Sequence, residues 1–341
     1  MHLWPGVPLA LGSAVLFGAA PPLSKLLLGA VSPFMLAGLL YLGAGIGLAI
    51  YNLFRRSGAL LRRADLPWLA AAVGAGGVVG PALLMFGLSR TTASSGALLL
   101  NLEGLATMAI AWVVFRENVD RRLLLGAFSI LAGACLLSWG GDSLALNSGA
   151  LLIALACLAW GVDNNLTRMV SAADPVAIAM LKGLIAGGVN VALAFQFGAR
   201  APAIGYFVEA AALGALAIGA SLVMFILALR HLGAARAGAY FSLSPFIGAV
   251  LAIALLGEPV TIRLALSAVL MGVGLWLHLA ERHDHEHRHE PTEHEHSHVH
   301  DAHHQHQHTG PVTEPHSHWH RHEPMRHAHV HYPDLHHRHT H

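Results

Sequence analysis

Three short stretches carry side chains that could do chemistry. GALLLNLEGLATMAIAW (96–112) holds Glu103, with Asn101 just before it, in an otherwise apolar run. WGVDNNLTR (160–168) holds Asp163, Asn164 and Asn165 in succession. MLKGLIAGGVN (180–190) holds Lys182 and Asn190. A carboxyl held away from water can take up a proton and release it when its site opens. It can equally bind a cation or the amine of a substrate. Asp163 and Lys182 offer the complementary arrangement, an acid and a base that neutralise each other and so offset the cost of burying either alone.

These groups need elements to hold them, and the composition says which. The chain is 55% hydrophobic and only 11% charged. The charges are unevenly spread, because residues 281–341 hold 15 of the 39 Asp, Glu, Lys and Arg and 23 of the 26 His. What precedes them is almost continuously apolar, as a chain that crosses a bilayer must be. Ten spans can be marked, roughly 7–28, 33–54, 66–88, 92–115, 121–139, 147–170, 175–197, 203–229, 233–256 and 262–280. None alternates with period two, so strands are not expected, and the small residues that fill them allow close helix packing in lipid. The N-terminal stretch lacks a basic leader region and reads as the first span. Cys135 and Cys157 have no partner at motif spacing and read as core residues.

In this frame Glu103 lies about 18 Å from the inner end of span 4, near the midplane, where ionisable groups face a cavity or a partner. A hydrogen-bonded scaffold glutamate is the competing reading. Asp163 and Lys182 each lie about 10 Å from the same side, which makes an ion pair between them plausible. That pair could be structural, or it could break and reform during a transport cycle. Successive helical positions differ by about 100°, so Asp163, Asn164 and Asn165 cannot all face one cavity. Lys25 reads as snorkelling to an interface. Glu209, His231 and His278 lie near span ends and read as interfacial.

Arginines and lysines set the orientation. With the N-terminus inside, Arg55, Arg56, Arg62, Arg63, Arg116, Arg121, Arg122, Arg168, Arg230 and Arg236 lie inside, against Lys25, Arg90, Arg200 and Arg263 outside. Both termini are therefore expected in the cytoplasm of a multi-pass cell (inner) membrane protein.

The chain also repeats itself. An offset of 141 aligns Glu117 with Glu258, Arg122 with Arg263 and Gly133 with Gly274, while Phe17-Gly18 matches Trp160-Gly161 and Pro33 matches Pro175. Five spans per copy is an odd number, so the copies enter the membrane from opposite sides, as in secondary transporters. The fold class is therefore all-α integral membrane, with ten transmembrane helices as two inverted five-helix repeats (7–139 and 147–280) and a disordered tail, 281–341. Glu117 and Glu258 share a position that suggests binding of backbone donors at a following helix.

Trp160-Gly161, the prolines opening spans 2 and 7, FRE (115–117), LGEP (256–259) and the Gly-rich fifth and tenth spans carry a resemblance. In their duplicated order the chain resembles an EamA-type member of the drug/metabolite transporter superfamily. The resemblance implies transport, usually efflux, of a small solute. Where the second copy has Leu243-Ser244-Pro245, the first has Leu102-Glu103-Gly104.

The tail is low-complexity, and its apolar content is too low for a packed fold. His283, His285, His287, His289, His294, His296, His298 and His300 are candidate weak ligands for Zn, Ni, Co or Cu. No nucleophile–base constellation or phosphate loop points to an enzyme. Three readings remain: a carrier of a small organic solute, a transition-metal exporter of the same architecture, or a membrane-anchored metal buffer or sensor. The expected partners are the lipid bilayer and a small-molecule or cation substrate. Near-zero net charge does not suggest nucleic acid, and a homodimer is compatible with the sequence.

Overall fold

A computed structural model describes residues 6–54, 62–116, 119, 121–139, 147–170 and 174–279, and four short backbone segments beyond them. The described part of 1–280 is helical, with ten helical spans long and apolar enough to cross a membrane. Spans 1 and 2 are α1 (Gly6–Leu27) and α2 (Pro33–Leu53). Span 3 comprises α3 (Leu66–Ala72), a π-helical segment (Val73–Val79) and α4 (Gly80–Leu88). Span 4 is broken into α5 (Ala93–Leu99) and α6 (Leu102–Phe115), and α7 (Arg121–Ser138) ends the first repeat.

The second repeat follows the same plan. After α8 (Ser148–Arg168) and α9 (Pro175–Gln196), span 8 comprises α10 (Ile204–Leu213), a π-helical segment (Gly214–Ala220) and α11 (Ser221–Leu232). Span 9 is broken into α12 (Ala234–Phe241) and α13 (Ser244–Leu256), and α14 (Ile262–Leu279) closes it. Expected span limits and observed ends agree to within a few residues. The two π segments and the two breaks were not expected. Each occurs at matching positions in both repeats, so they belong to the repeating unit itself.

Local chemistry explains the starts and breaks. Pro33 and Pro175 open α2 and α9, where a missing N–H costs nothing. Asp174 Oδ1 accepts the Val176 N–H at 3.0 Å, capping α9. In span 9, Pro245 opens α13. In span 4 no proline is present; at the break the Leu98 carbonyl accepts both the Asn101 backbone N–H at 3.1 Å and the Asn101 side-chain amide at 2.8 Å. α6 and α13 both end on left-handed residues, Arg116 (φ 55°) and Gly257 (φ 65°).

Packing relies on small residues. α2 lies against its repeat counterpart α9. A Cβ on Gly187 would come within 2.6 Å of the Leu42 nitrogen, so the two backbones touch. α7 packs against its counterpart α14, where the Ser129 hydroxyl donates to the Leu270 carbonyl at 2.7 Å. His278 belongs to this contact, with a ring nitrogen 3.0 Å from the Leu123 carbonyl oxygen, and is not simply interfacial. Outward faces carry Phe128, Val250, Val269 and Trp276, as lipid-facing surfaces do. Cys157 is buried as expected, but Cys135 is exposed on α7. The buried face of α7 is made by Gly126, Ile130, Gly133, Ala134 and Ser138, and Cys135 lies outside it.

Residues 281–341 form a separate unit. Disorder was expected there; its described backbone carries two antiparallel ladders. β1 (Asp284–Arg288) pairs with β4 (Arg326–Val330), and β2 (Glu293–His298) with β3 (His316–Arg321). Two-stranded ladders of this length are marginal on their own in water. The candidate ligands His283, His289 and His300 lie outside the described residues, as do the side chains of His285, His287, His294, His296 and His298.

Candidate functional site

The first π segment organises one wall of the site. Gly76 O accepts the Trp160 indole N–H at 2.8 Å and the Tyr41 hydroxyl at 3.1 Å. The Asn190 amide donates to Gly77 O and Val78 O at 3.3 and 3.4 Å. Three side chains from α2, α8 and α9 thus converge on three successive carbonyls, and π segments recur at functional sites. One turn on from Trp160, Asp163 meets Lys182. The ammonium lies 2.5 and 2.6 Å from the two carboxylate oxygens, and the Thr167 hydroxyl donates to Oδ1 at 2.8 Å. The Asp163 side chain is 7% exposed and that of Lys182 17%, so this is a largely buried ion pair.

Gly76 is also what lets Asp163 fit. A Cβ at position 76 would lie 1.9 Å from Asp163 Oδ2. Gly76→Ala is expected to lower the unfolding temperature in detergent by overpacking of about 1–3 kcal/mol. Gly104→Ala, where a Cβ meets nothing within 4 Å, should be neutral and serves as the control. Equal unfolding temperatures for the two variants would refute the packing role.

Glu103 stands on the second wall. It lies in the first turn of α6, where the helix dipole favours negative charge. Asn164 bridges it to its own helix, donating to Glu103 Oε1 and to Thr107 Oγ1, each at 3.1 Å. Glu103 and Trp160 border a cavity of about 200 Å³, lined elsewhere by Phe17, Pro21, Leu40 and Met85 among others. The sequence-selected residues therefore separate. Glu103 and Asn164 are joined directly, Asp163 and Lys182 form a pair on the same helical wall, and Asn101 turns away toward Leu98 O and Met271 Sδ. Asn165 also faces elsewhere, donating to Gly161 O and Thr107 O. Among the described residues, no group of three or more His, Cys, Asp and Glu is gathered for a metal ion.

The repeats are not in the same state at the two ends of the bundle. α13 packs closely against α5, and six of the seven residues of α5 are buried. The counterpart pair, α6 and α12, makes no comparable contact among the described residues, and in α6 only Ala111 is buried. At the closed end Glu258 accepts the N–H groups of Ala93 and Ser94 at 2.7 and 2.8 Å. Glu258 therefore binds backbone donors of the other repeat, not of its own following helix. Glu117 lies outside the described residues. Lys25 does not snorkel. Its ammonium turns inward to the carbonyls of Leu88 and Thr91, the latter at 2.7 Å, because the end of span 3 presents acceptors that lipid cannot satisfy.

Sequence reasoning missed Tyr41, Gly76 and the true partner of Glu258. Trp160-Gly161 is legible in the sequence as a repeat and family mark, but not as the indole donor to Gly76 O. The run VGAGGVV was the available signal, since Gly-rich helix in lipid marks close approach or irregular backbone.

Comparison with known proteins agrees with this architecture. Residues 4–139 and 147–280 each match the sequence pattern of the EamA-like transporter family. An uncharacterized transporter of Methanothermobacter thermautotrophicus is 28% identical over 296 residues, covering 81% of this chain and 86% of that one. The uncharacterized transporter YyaM of Bacillus subtilis is 23% identical over 280 residues, covering 77% and 90%. A protein of known crystal structure superposes with a TM-score of 0.60 at 20% identity, covering 79% of this chain and 95% of its own.

Proposed function

The chain belongs to the EamA-like transporter family, and from that membership we propose that it is a secondary active exporter of a small solute, with Glu103 as the group that binds substrate or coupling proton. One observation carries the reading: the Glu103 carboxylate borders a mainly apolar cavity where its side-chain partner is a neutral amide. A carboxylate so placed is costly unless something charged visits it. The contrast between the packed α5–α13 end and the unpacked α6–α12 end supports alternating access by inverted repeats. With the arginine distribution, the open end is the cytoplasmic one, and the membrane is the cell (inner) membrane. The tail's histidines are assigned to loose cytoplasmic binding of Zn, Ni, Co or Cu.

The test is a transport screen in proteoliposomes with an imposed pH gradient, using amino acids, nucleosides, organic amines and divalent metals. At least one solute should move faster than in empty vesicles and stop when the gradient is collapsed. Flux equal to that of empty vesicles for every class would reject the reading.

A further inference from the structure

We infer that the cavity is built for a monocationic organic amine on a compact apolar body, not for a zwitterion or an acid. The inference rests on the reading of Glu103 as the substrate-facing carboxylate. Charge balance is the first argument. Asp163 and Lys182 neutralise each other through contacts of 2.5 and 2.6 Å. Lys25 is held by the Leu88 and Thr91 carbonyls. Arg168 lies with its guanidinium carbon 5.1 Å from the centre of the Phe115 ring. Glu103 is left with the Asn164 amide, so among the described residues the cavity lining has one carboxylate and no Lys, Arg or His to meet a ligand's carboxylate. An ammonium group supplies the missing charge. A carboxylate on the ligand would be desolvated without a partner.

The walls give the second argument. Phe17, Tyr41 and Trp160 all border the space, and aromatic faces attract cations. The rest of the lining is mainly aliphatic, with Leu40, Leu84 and Ile218. This asymmetry follows from the repeat. The positions matching Asp163, Lys182 and Glu103 in the other copy are Ala20, Leu40 and Ser244. The polar groups thus come from one side and the apolar surface from the other.

Ser24 gives the third. It is among the residues lining the cavity, it is 1% exposed, and its Oγ has no hydrogen-bond partner among the described residues. Buried hydroxyls are normally satisfied. An ammonium carries three donors, so Ser24 offers an acceptor beyond Glu103. Size completes the description. A cavity of about 200 Å³ exceeds the ~150 Å³ of an apolar cavity that takes up benzene, leaving room for one ring with a short amine arm.

Three probes of one shape test this: 2-phenylethylamine, phenylalanine and 3-phenylpropionate. Each is titrated calorimetrically at pH 7 into the full-length protein in detergent. The amine should bind at least about tenfold tighter than phenylalanine, and the acid should give no binding, since in both the ligand carboxylate is desolvated without a partner. Glu103→Gln should weaken the amine by the same factor or more, and Glu103→Asp should restore most of it, with both variants checked for monodispersity. Phenylalanine binding as tightly as the amine, in a manner that Glu103→Gln abolishes, overturns the cation class and leaves Glu103 as a substrate residue. Amine affinity unchanged by Glu103→Gln overturns both readings. No amine binding overturns the cation class, while the pH-gradient screen still decides transport.

Discussion

Replacing Glu103 by glutamine is expected to abolish pH-gradient-driven solute movement in proteoliposomes while leaving the protein folded. The substitution is nearly isosteric. The new amide oxygen can still accept from Asn164, which reaches Glu103 Oε1 at 3.1 Å in the native protein, and Thr107 keeps its bond to the residue-103 carbonyl at 2.9 Å. What disappears is the negative charge and the ability to take up a proton. Losing one partner of a desolvated charged contact costs about 2–5 kcal/mol, or about 30-fold or more in affinity. An unfolding temperature close to that of the native protein, with flux at the level of empty vesicles, is the expected pair of results. Normal gradient-coupled flux in the variant would remove Glu103 from the mechanism.

The Asp163–Lys182 pair should give the largest effect on stability. Lys182→Met leaves Asp163 buried with, among the described residues, the Thr167 hydroxyl on Oδ1 as its remaining side-chain partner, and Asp163→Asn leaves the ammonium without its counter-charge. Each single change is expected to cost about 3–5 kcal/mol, because it strands a buried charge. The double variant Asp163→Asn, Lys182→Met strands none, and most of the lost stability should return. Thermal unfolding of all four proteins in one detergent measures this. Additive losses in the double variant would show that mutual neutralisation is not the role of the pair. Recovered stability with no recovered flux would place the pair in the transport cycle.

Both experiments depend on features of unequal legibility in the sequence. The spans were readable because bilayer thickness imposes length and apolarity on each one. The ion pair was readable for a similar reason, since Asp163 and Lys182 sit at equal depth on adjacent spans. The breaks in spans 4 and 9 were not. Pro245 marks one of them, but Asn101 and Gly104 read as ordinary members of a continuous span until the helix is seen to stop at Leu99. The π segments were marked by no more than the glycine run VGAGGVV in one copy, because glycine and alanine are common in regular membrane helices too. Glu258 needed a contact with Ala93 and Ser94 in the other repeat, and no local pattern reports such a partner. Lys25 was misread because a lysine near a span end ordinarily reaches water; here Leu88 O and Thr91 O accept its hydrogen bonds instead.

The neutralised pair has a consequence for energetics. If Glu103 carries a proton one way and an amine cation the other, the moving site holds the same charge in both directions, since Asp163 and Lys182 cancel throughout. Moving one elementary charge across 100 mV is worth about 2.3 kcal/mol, and an exchange that moves none receives nothing from membrane voltage. Such a carrier is electroneutral. It is driven by the proton concentration difference alone, and it accumulates or expels its solute to the same ratio in a polarised cell as in a depolarised one.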